Sequence, residues 1–443
     1  VVSGDWSMGG KWVYVLAFAL VASLAGAQDD GPFEDPECDA NGSCPIYAGY
    51  QCTTDVRERG EIDLDVKDMA DAADSFDWGT AKAIFQNGKN SRTSSGGFRT
   101  LEGFSTQANE KMSEWPDYQL FRAYYNDNPA YARDYVLDAL DASGEFAEAG
   151  DFARAETSVK GAQYLCTAMY VIHEMEDSVQ DCLASDITDN DGGAKAWDET
   201  AAFYVGSIVG DNTFTADDGE LQYGLAFNRE LQFTGSADVN QAVMSLLNEG
   251  KSIVDSESPR NCARLAEIKD EIIDWNKIPL LQGLIRYAFL ADENSGGTSG
   301  NLDKARGEGN AFARSILPYI NGTNPEIGEF IDANFPPVGQ AVKDGYQTVV
   351  GRLEELYGGE YFRDVTADKV GTLTAADDIG ANDDGGLSGG AIAGIVIGVL
   401  AGVAILILAA LWFMKRRKSK TSYAKEANVG GEAYGANTGG EGY

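Results

Sequence analysis

Through the middle of the chain, apolar residues recur at the three- and four-residue intervals of amphipathic helices, and strand-like alternation is nearly absent. Asn128-Pro129 reads as an N-cap followed by proline at the first helical position, and Tyr131, Tyr135, Val136 and Leu140 then mark one helical face. Residues 152–183 predict a long helix with Phe152, Val159, Cys166, Met169, Ile172 and Val179 on its apolar side. Residues 262–290 predict a second, bent or broken at Pro279. Residues 301–317 and 338–357 predict two more, the last stopped by Gly358-Gly359. Glycine-rich polar stretches at 87–97, 186–193 and 294–300 read as loops. The expected fold class is all-α.

Both ends of the chain depart from this pattern. Met8-Gly9-Gly10-Lys11, the apolar run from Trp12 to Leu24 and Ala25-Gly26-Ala27 have the layout of a cleavable secretion signal over residues 8–27, with Val1 to Ser7 outside it. Ala391 to Met414 is uncharged over 24 residues, long enough for one membrane helix, assigned to 390–414. Lys415, Arg416, Arg417, Lys418 and Lys420 follow it, so the positive-inside rule puts the tail (415–443) in the cytosol and the ectodomain outside, a type I plasma-membrane topology. Gly390, Gly394, Gly398 and Gly402 line one stripe of the span and make it a candidate homodimer contact.

The roughly 360 residues between signal and span exceed one ordinary core. They are read as a cysteine-bearing leader (28–61), a first helical lobe (62–185), a second lobe (194–358) and a flexible stalk (359–389). A weak repeat supports two related bundles. Trp78-Gly79-Thr80-Ala81-Lys82-Ala83-Ile84-Phe85-Gln86-Asn87-Gly88 is similar to the segment from Trp197 to Gly206, and each copy is later followed by a helix opening Ala-Arg, at Ala153 and Ala263.

Without signal and tail, the ectodomain carries 27 Lys and Arg against 66 Asp and Glu, a net −39. Such a surface repels nucleic acid and anionic lipid and concentrates cations. All six cysteines, Cys38, Cys44, Cys52, Cys166, Cys182 and Cys262, fall in it, which predicts three disulfides of unspecified pairing. Asn41-Gly42-Ser43 and Asn321-Gly322-Thr323 are glycosylation sequons.

The only histidine, His173, lies in Tyr170-Val171-Ile172-His173-Glu174-Met175-Glu176-Asp177. Helical spacing lets Tyr170, His173, Glu176 and Asp177 converge, and phenolate, carboxylates and one imidazole suit a hard or borderline cation, Fe³⁺ foremost. The second histidine of the zincin motif is absent, as are nucleophile-elbow, P-loop and dinucleotide fingerprints, and a single imidazole offers little for acid–base catalysis. A binding protein is expected, not an enzyme.

Three segments carry a resemblance to a known family. They are Ala196-Trp197-Asp198-Glu199-Thr200-Ala201-Ala202-Phe203-Tyr204-Val205-Gly206-Ser207, then Tyr223-Gly224-Leu225-Ala226-Phe227-Asn228-Arg229 with Phe233, and Gly88-Lys89-Asn90-Ser91 with Arg99-Thr100-Leu101-Glu102-Gly103-Phe104-Ser105. They resemble the algal iron-assimilation family, the low-iron-inducible periplasmic proteins of green algae and the phytotransferrins of diatoms, over about residues 76–357. The end-to-end layout resembles a membrane-anchored phytotransferrin. His173 and Glu176 also echo the G-x-H-x-x-E motif of imelysin-type helical proteins, with Val171 in the glycine position.

The resemblance implies capture of Fe³⁺ with carbonate as synergistic anion at an algal cell surface, followed by endocytosis. It implies further metal ligands at Tyr204, Asp198 and Glu199, and a cationic partner for carbonate at Arg229 first and Arg99 second. The rival expectation is a non-catalytic adhesion or CO₂-responsive signalling ectodomain.

Overall fold

The computed structural model describes residue 38 and residues 43–106, 108–187, 192–211, 219–295 and 301–374. The expected signal peptide, most of the leader before residue 43, the stalk from residue 375, the 390–414 span with its glycine stripe and the tail lie outside the described residues. Among the described residues, no helix is long and apolar enough to cross a membrane.

The fold is all-α. A two-residue antiparallel pair, β1 (Ile46–Tyr47) and β2 (Tyr50–Gln51), precedes α1 (Arg57–Gly60), α2 (Ile62–Asp74) and α3 (Trp78–Asn87). Three short helices follow, α4 (Leu101–Thr106), α5 (Ala108–Lys111) and α6 (Pro116–Tyr124), then α7 (Tyr131–Asp141). Next, α8 (Asp151–Gly161) runs through a π-helical stretch, Ala162–Thr167, into α9 (Ala168–Ala184). The second half holds α10 (Gly193–Val205), α11 (Gln222–Gln232), α12 (Val239–Val254), α13 (Cys262–Ala291) and α14 (Leu302–Thr323). It closes with α15 (Pro325–Asn334), α16 (Tyr346–Glu354) and α17 (Ala367–Val370), and β3 (Phe233–Thr234) pairs with β4 (Thr372–Leu373).

Local chemistry sets many helix starts. Asp77, Asp238, Asn261, Asn301 and Asn324 each accept a first-turn backbone N–H of the helix they cap. Asn128 serves differently from the expected cap: its Oδ1 accepts from Ala130 N at 2.9 Å in a tight turn, and α7 opens at Tyr131. Pro279 does not break α13, whose central turns are buried on nearly all sides, so packing outweighs the roughly 3 kcal/mol that an interior proline costs. The helix expected over 338–357 shrinks to α16, because left-handed backbone at Gly339, Val342 and Gly345 forms a loop that Asn334 ties down through Asp344 N. Along the predicted apolar side Val159, Cys166, Met169 and Val179 are buried, whereas Phe152, in the first turn of α8, is exposed.

One apolar cluster runs from Cys44 to Val370 and includes residues of both the 62–185 and the 194–358 segments. Within it α9 packs along α10, α8 along α14, and α13 against α9, α12 and α14. Trp197 is fully buried, donates its indole N–H to Leu247 O at 2.8 Å and lies against Gly250.

The two copies of the sequence repeat end alike, and α2 holds both. Helix α3 stops at Gly88 (φ 65°, ψ 173°) and α10 at Gly206 (φ 85°, ψ 165°), conformations that disfavour any side chain. After Gly88, Asn90 donates its backbone and side-chain N–H groups to Asp65 Oδ1 at 2.8 and 2.9 Å. After Gly206, Ser207 Oγ and Ile208 N donate to the Asp63 carboxylate, each at 2.7 Å. A Cβ at Gly206 would strike that carboxylate, and one at Gly88 the Arg99 carbonyl.

Two disulfides form instead of the three expected. Cys38 bonds Cys44, and Cys182 ties the end of α9 to Cys262 at the start of α13. Cys52 and Cys166 are buried free thiols at separate places, Cys52 after β2 and Cys166 in the π stretch, so an even count does not become full pairing.

Candidate metal centre

Helix α9 presents the chemistry. At about 100° per residue, Tyr170, His173, Glu174 and Asp177 fall within an arc of about 100°, while Glu176 lies about 60° beyond it on the His173 side. One ligand atom each from His173, Glu174 and Asp177 lies within 4.8 Å of the others. Tyr170 stacks on Phe104 at 4.1 Å and meets the His173 ring edge-on at 5.0 Å, which fixes the phenol beside the cluster.

Two neighbours flank the connection between α5 and α6, Lys111 at the end of α5 and Trp115 at the N-cap of α6. Lys111 Nζ donates to Tyr170 Oη at 3.2 Å, and Trp115 Nε1 donates to His173 Nδ1 at 3.2 Å. Across from them, Glu199 of α10 accepts from Arg59 Nε of α1 at 2.7 Å. Arg59 and Arg99 both lie near Glu199, and Arg99 also faces Tyr170. Three carboxylates, a phenol and an imidazole are thus surrounded by Arg59, Arg99 and Lys111.

Burial governs the protonation of this group. It lowers the His173 imidazole to about 4, helped by the Lys111 ammonium. Burial, then Glu199, pushes the Glu174 carboxyl well above the usual carboxylate range. Burial, then Glu174 and Glu199, pushes the Tyr170 phenol well above its ordinary value. The imidazole is therefore a ready neutral donor, whereas the phenol must give up a proton to an entering ion.

Other sequence-derived candidates are committed elsewhere. Glu176 pairs with Lys269 of α13 at 2.6 Å. Asp198 accepts from Tyr50 Oη at 2.7 Å, from the backbone N–H of Thr53 and Thr54 at 2.8 Å and from Thr54 Oγ1 at 2.9 Å, and so anchors the N-terminal segment to α10. Tyr204 is fully buried and donates to Asn240 Oδ1 at 2.9 Å. Arg229 bonds Gln232 at 2.5 Å and lies over the Tyr287 and Phe312 rings, in a separate buried group with Lys160 and Tyr164. The structure thus brings Tyr170, His173, Asp177, Glu199 and Arg99 together and leaves Glu176, Asp198, Tyr204 and Arg229 outside.

Sequence reasoning missed Glu174, Lys111, Trp115 and Arg59. Glu174 stands four residues after Tyr170 and three before Asp177, a spacing that signals a shared face. No local signal marks the others, because α1 and the α5–α6 connection reach α9 only through tertiary packing. An internal cavity of about 30 Å³ opens on a different face of α9, beside Met169, Ile172, Gln222 and Lys277, and none of the clustered ligands borders it.

The donor set is oxygen-rich with one nitrogen, which fits a hard or borderline cation. Comparison with known proteins agrees with this chemistry. The family model described as low iron-inducible periplasmic protein (Fea1) matches residues 40–291, a stretch that contains every residue of the cluster. No curated protein and no solved structure matches the chain. The match covers more than half of the sequence, and the chain belongs to the low iron-inducible periplasmic protein (Fea1) family.

Proposed function

We propose that this protein binds ferric iron outside the cell for uptake under iron limitation, with His173, Glu174, Asp177 and the phenol of Tyr170 as the ligands. The observation that carries the reading is the convergence of the His173, Glu174 and Asp177 ligand atoms within 4.8 Å, around the only imidazole in the chain. Carbonate is the second anion, held from Arg99, which lies beside Tyr170 and Glu199. In this reading the protein is a carrier and not an enzyme, anchored as a type I membrane protein and internalised with its cargo.

Release in an acidified compartment follows from the oxygen donors. Burial holds the Tyr170 phenol and the Glu174 carboxyl well above their ordinary values, so protons compete strongly with the ion for these two oxygens. Titration of the full-length protein with chelated Fe³⁺, with and without bicarbonate, tests the reading. A visible tyrosinate-to-iron band that requires bicarbonate and is lost in Tyr170→Phe supports it. No binding under either condition overturns it and favours the adhesion or signalling alternative.

A further inference from the structure

The site just described is covered by groups that compete with a metal for its ligand atoms. An indole N–H can donate a hydrogen bond but never accept one. Because Trp115 Nε1 lies 3.2 Å from His173 Nδ1, that nitrogen must be the acceptor, and the neutral imidazole carries its proton on Nε2.

This fixes what a metal meets. If it ligates Nδ1, it takes the place of the Trp115 N–H. If it ligates Nε2, the proton there must leave and Nδ1 must become protonated, which sets two N–H groups against each other. With either nitrogen the Trp115–His173 bond breaks.

A second competitor flanks the same short connection. Lys111 holds its ammonium on Tyr170 Oη at 3.2 Å and over the ring at 5.8 Å, a positive charge beside the phenol that an entering cation must approach. Trp115 precedes Pro116, which keeps it extended at the N-terminus of α6 (φ −80°, ψ 131°), and its backbone N–H bonds Met112 O at 2.9 Å. Lys111, the last residue of α5, and Trp115, the N-cap of α6, are thus joined through one tight turn, Met112–Trp115, anchored by the fully buried Met112.

We propose that the Lys111–Trp115 turn is a displaceable cover over the site, with Trp115 its specific latch, and that the ion enters by exchanging with Trp115 at His173. The inference rests on the ferric-binding reading above. It makes Trp115 a positioning residue for His173: it touches the ligand and not the ion. Removing its N–H should raise affinity, since binding no longer has to break that bond.

The test uses the full-length protein with Ga³⁺, a redox-silent stand-in for Fe³⁺, supplied as a weak chelate with bicarbonate. Position 115 alone carries 5-fluorotryptophan, and its ¹⁹F signal is followed during the titration. A shift that saturates at one ion per chain, with Trp115→Phe binding about 2- to 10-fold more tightly, supports the cover. Binding with an unmoved ¹⁹F signal overturns it while leaving the ferric reading intact. No binding by either wild type or Trp115→Phe overturns both. Should Trp115→Phe fail to fold, as read by its melting temperature and far-UV dichroism, the labelled wild-type signal decides alone.

Discussion

Lys269 Nζ lies 2.6 Å from Glu176 Oε1, so this carboxylate is bound to α13 and turned away from His173, three residues earlier on the same helix. Glu174 takes the place by the histidine that the spacing offered to Glu176. The two glutamates should therefore separate cleanly by mutation. Glu174→Gln should weaken ferric binding by about 100-fold with little change in melting temperature. Glu176→Gln should leave affinity unchanged and cost about 2 kcal/mol of stability, less than a fully isolated buried charge because Asp270 still meets Lys269 at 3.0 Å. Equal affinity losses in the two variants would return Glu176 to the site.

The single histidine makes protonation directly observable. Its imidazole signal in NMR should titrate with a midpoint near 4 in the metal-free fold, against about 6.5 in the unfolded chain. A lowered folded value means that the fold favours the neutral ring. The contribution to stability is present above about pH 6.5 and is lost as pH falls toward 4. A midpoint near 6.5 would mean that the ring is solvated and the Trp115 contact absent.

Asp63 has the opposite sign. Burial lifts its carboxyl to about 7, against the lowering effect of the Ile208 and Ser207 hydrogen bonds. A raised folded value favours the protonated form, so its contribution is full below about pH 4 and is lost as pH rises through 7. Asp63→Asn should remove this dependence: the melting temperature of wild type, relative to the variant, should fall between pH 5 and pH 8. A constant difference across that range would place an ionised Asp63 in the fold.

The cysteines give a count. Denatured, unreduced protein should release two thiols per chain to a thiol reagent, Cys52 and Cys166, and native protein none, since both are buried. Reducing the Cys182–Cys262 bond frees a loop of 80 residues and should cost about 4 kcal/mol. Zero thiols in the denatured protein would restore a third disulfide.

The lesson of the repeat is similar to that of the glutamates. The likeness between the segments ending at Gly88 and Gly206 is visible in sequence, and in the fold both glycines turn the chain onto neighbouring carboxylates of α2. The family-like residues Asn90 and Ser207 are thus accounted for by structural bonds to Asp65 and Asp63, and Asp198 by its bonds to the N-terminal segment. Motif residues at these positions make bonds that hold the scaffold together.

By itself the sequence determined the helical class, the extents of α13 and of the α8–α9 rod to within a few residues, the family, and the helix that carries the His173 cluster. Those features follow from local periodicity, capping residues and composition, which act over a few turns of chain. Tertiary structure alone decided which face of α9 meets Glu199, Arg59 and the Lys111–Trp115 turn, and that Glu176, Tyr204 and Arg229 face other partners. Helical spacing leaves two neighbouring faces available around His173. Only the packing of α13 on one and α10 on the other, with Lys269 capturing Glu176, selects between them.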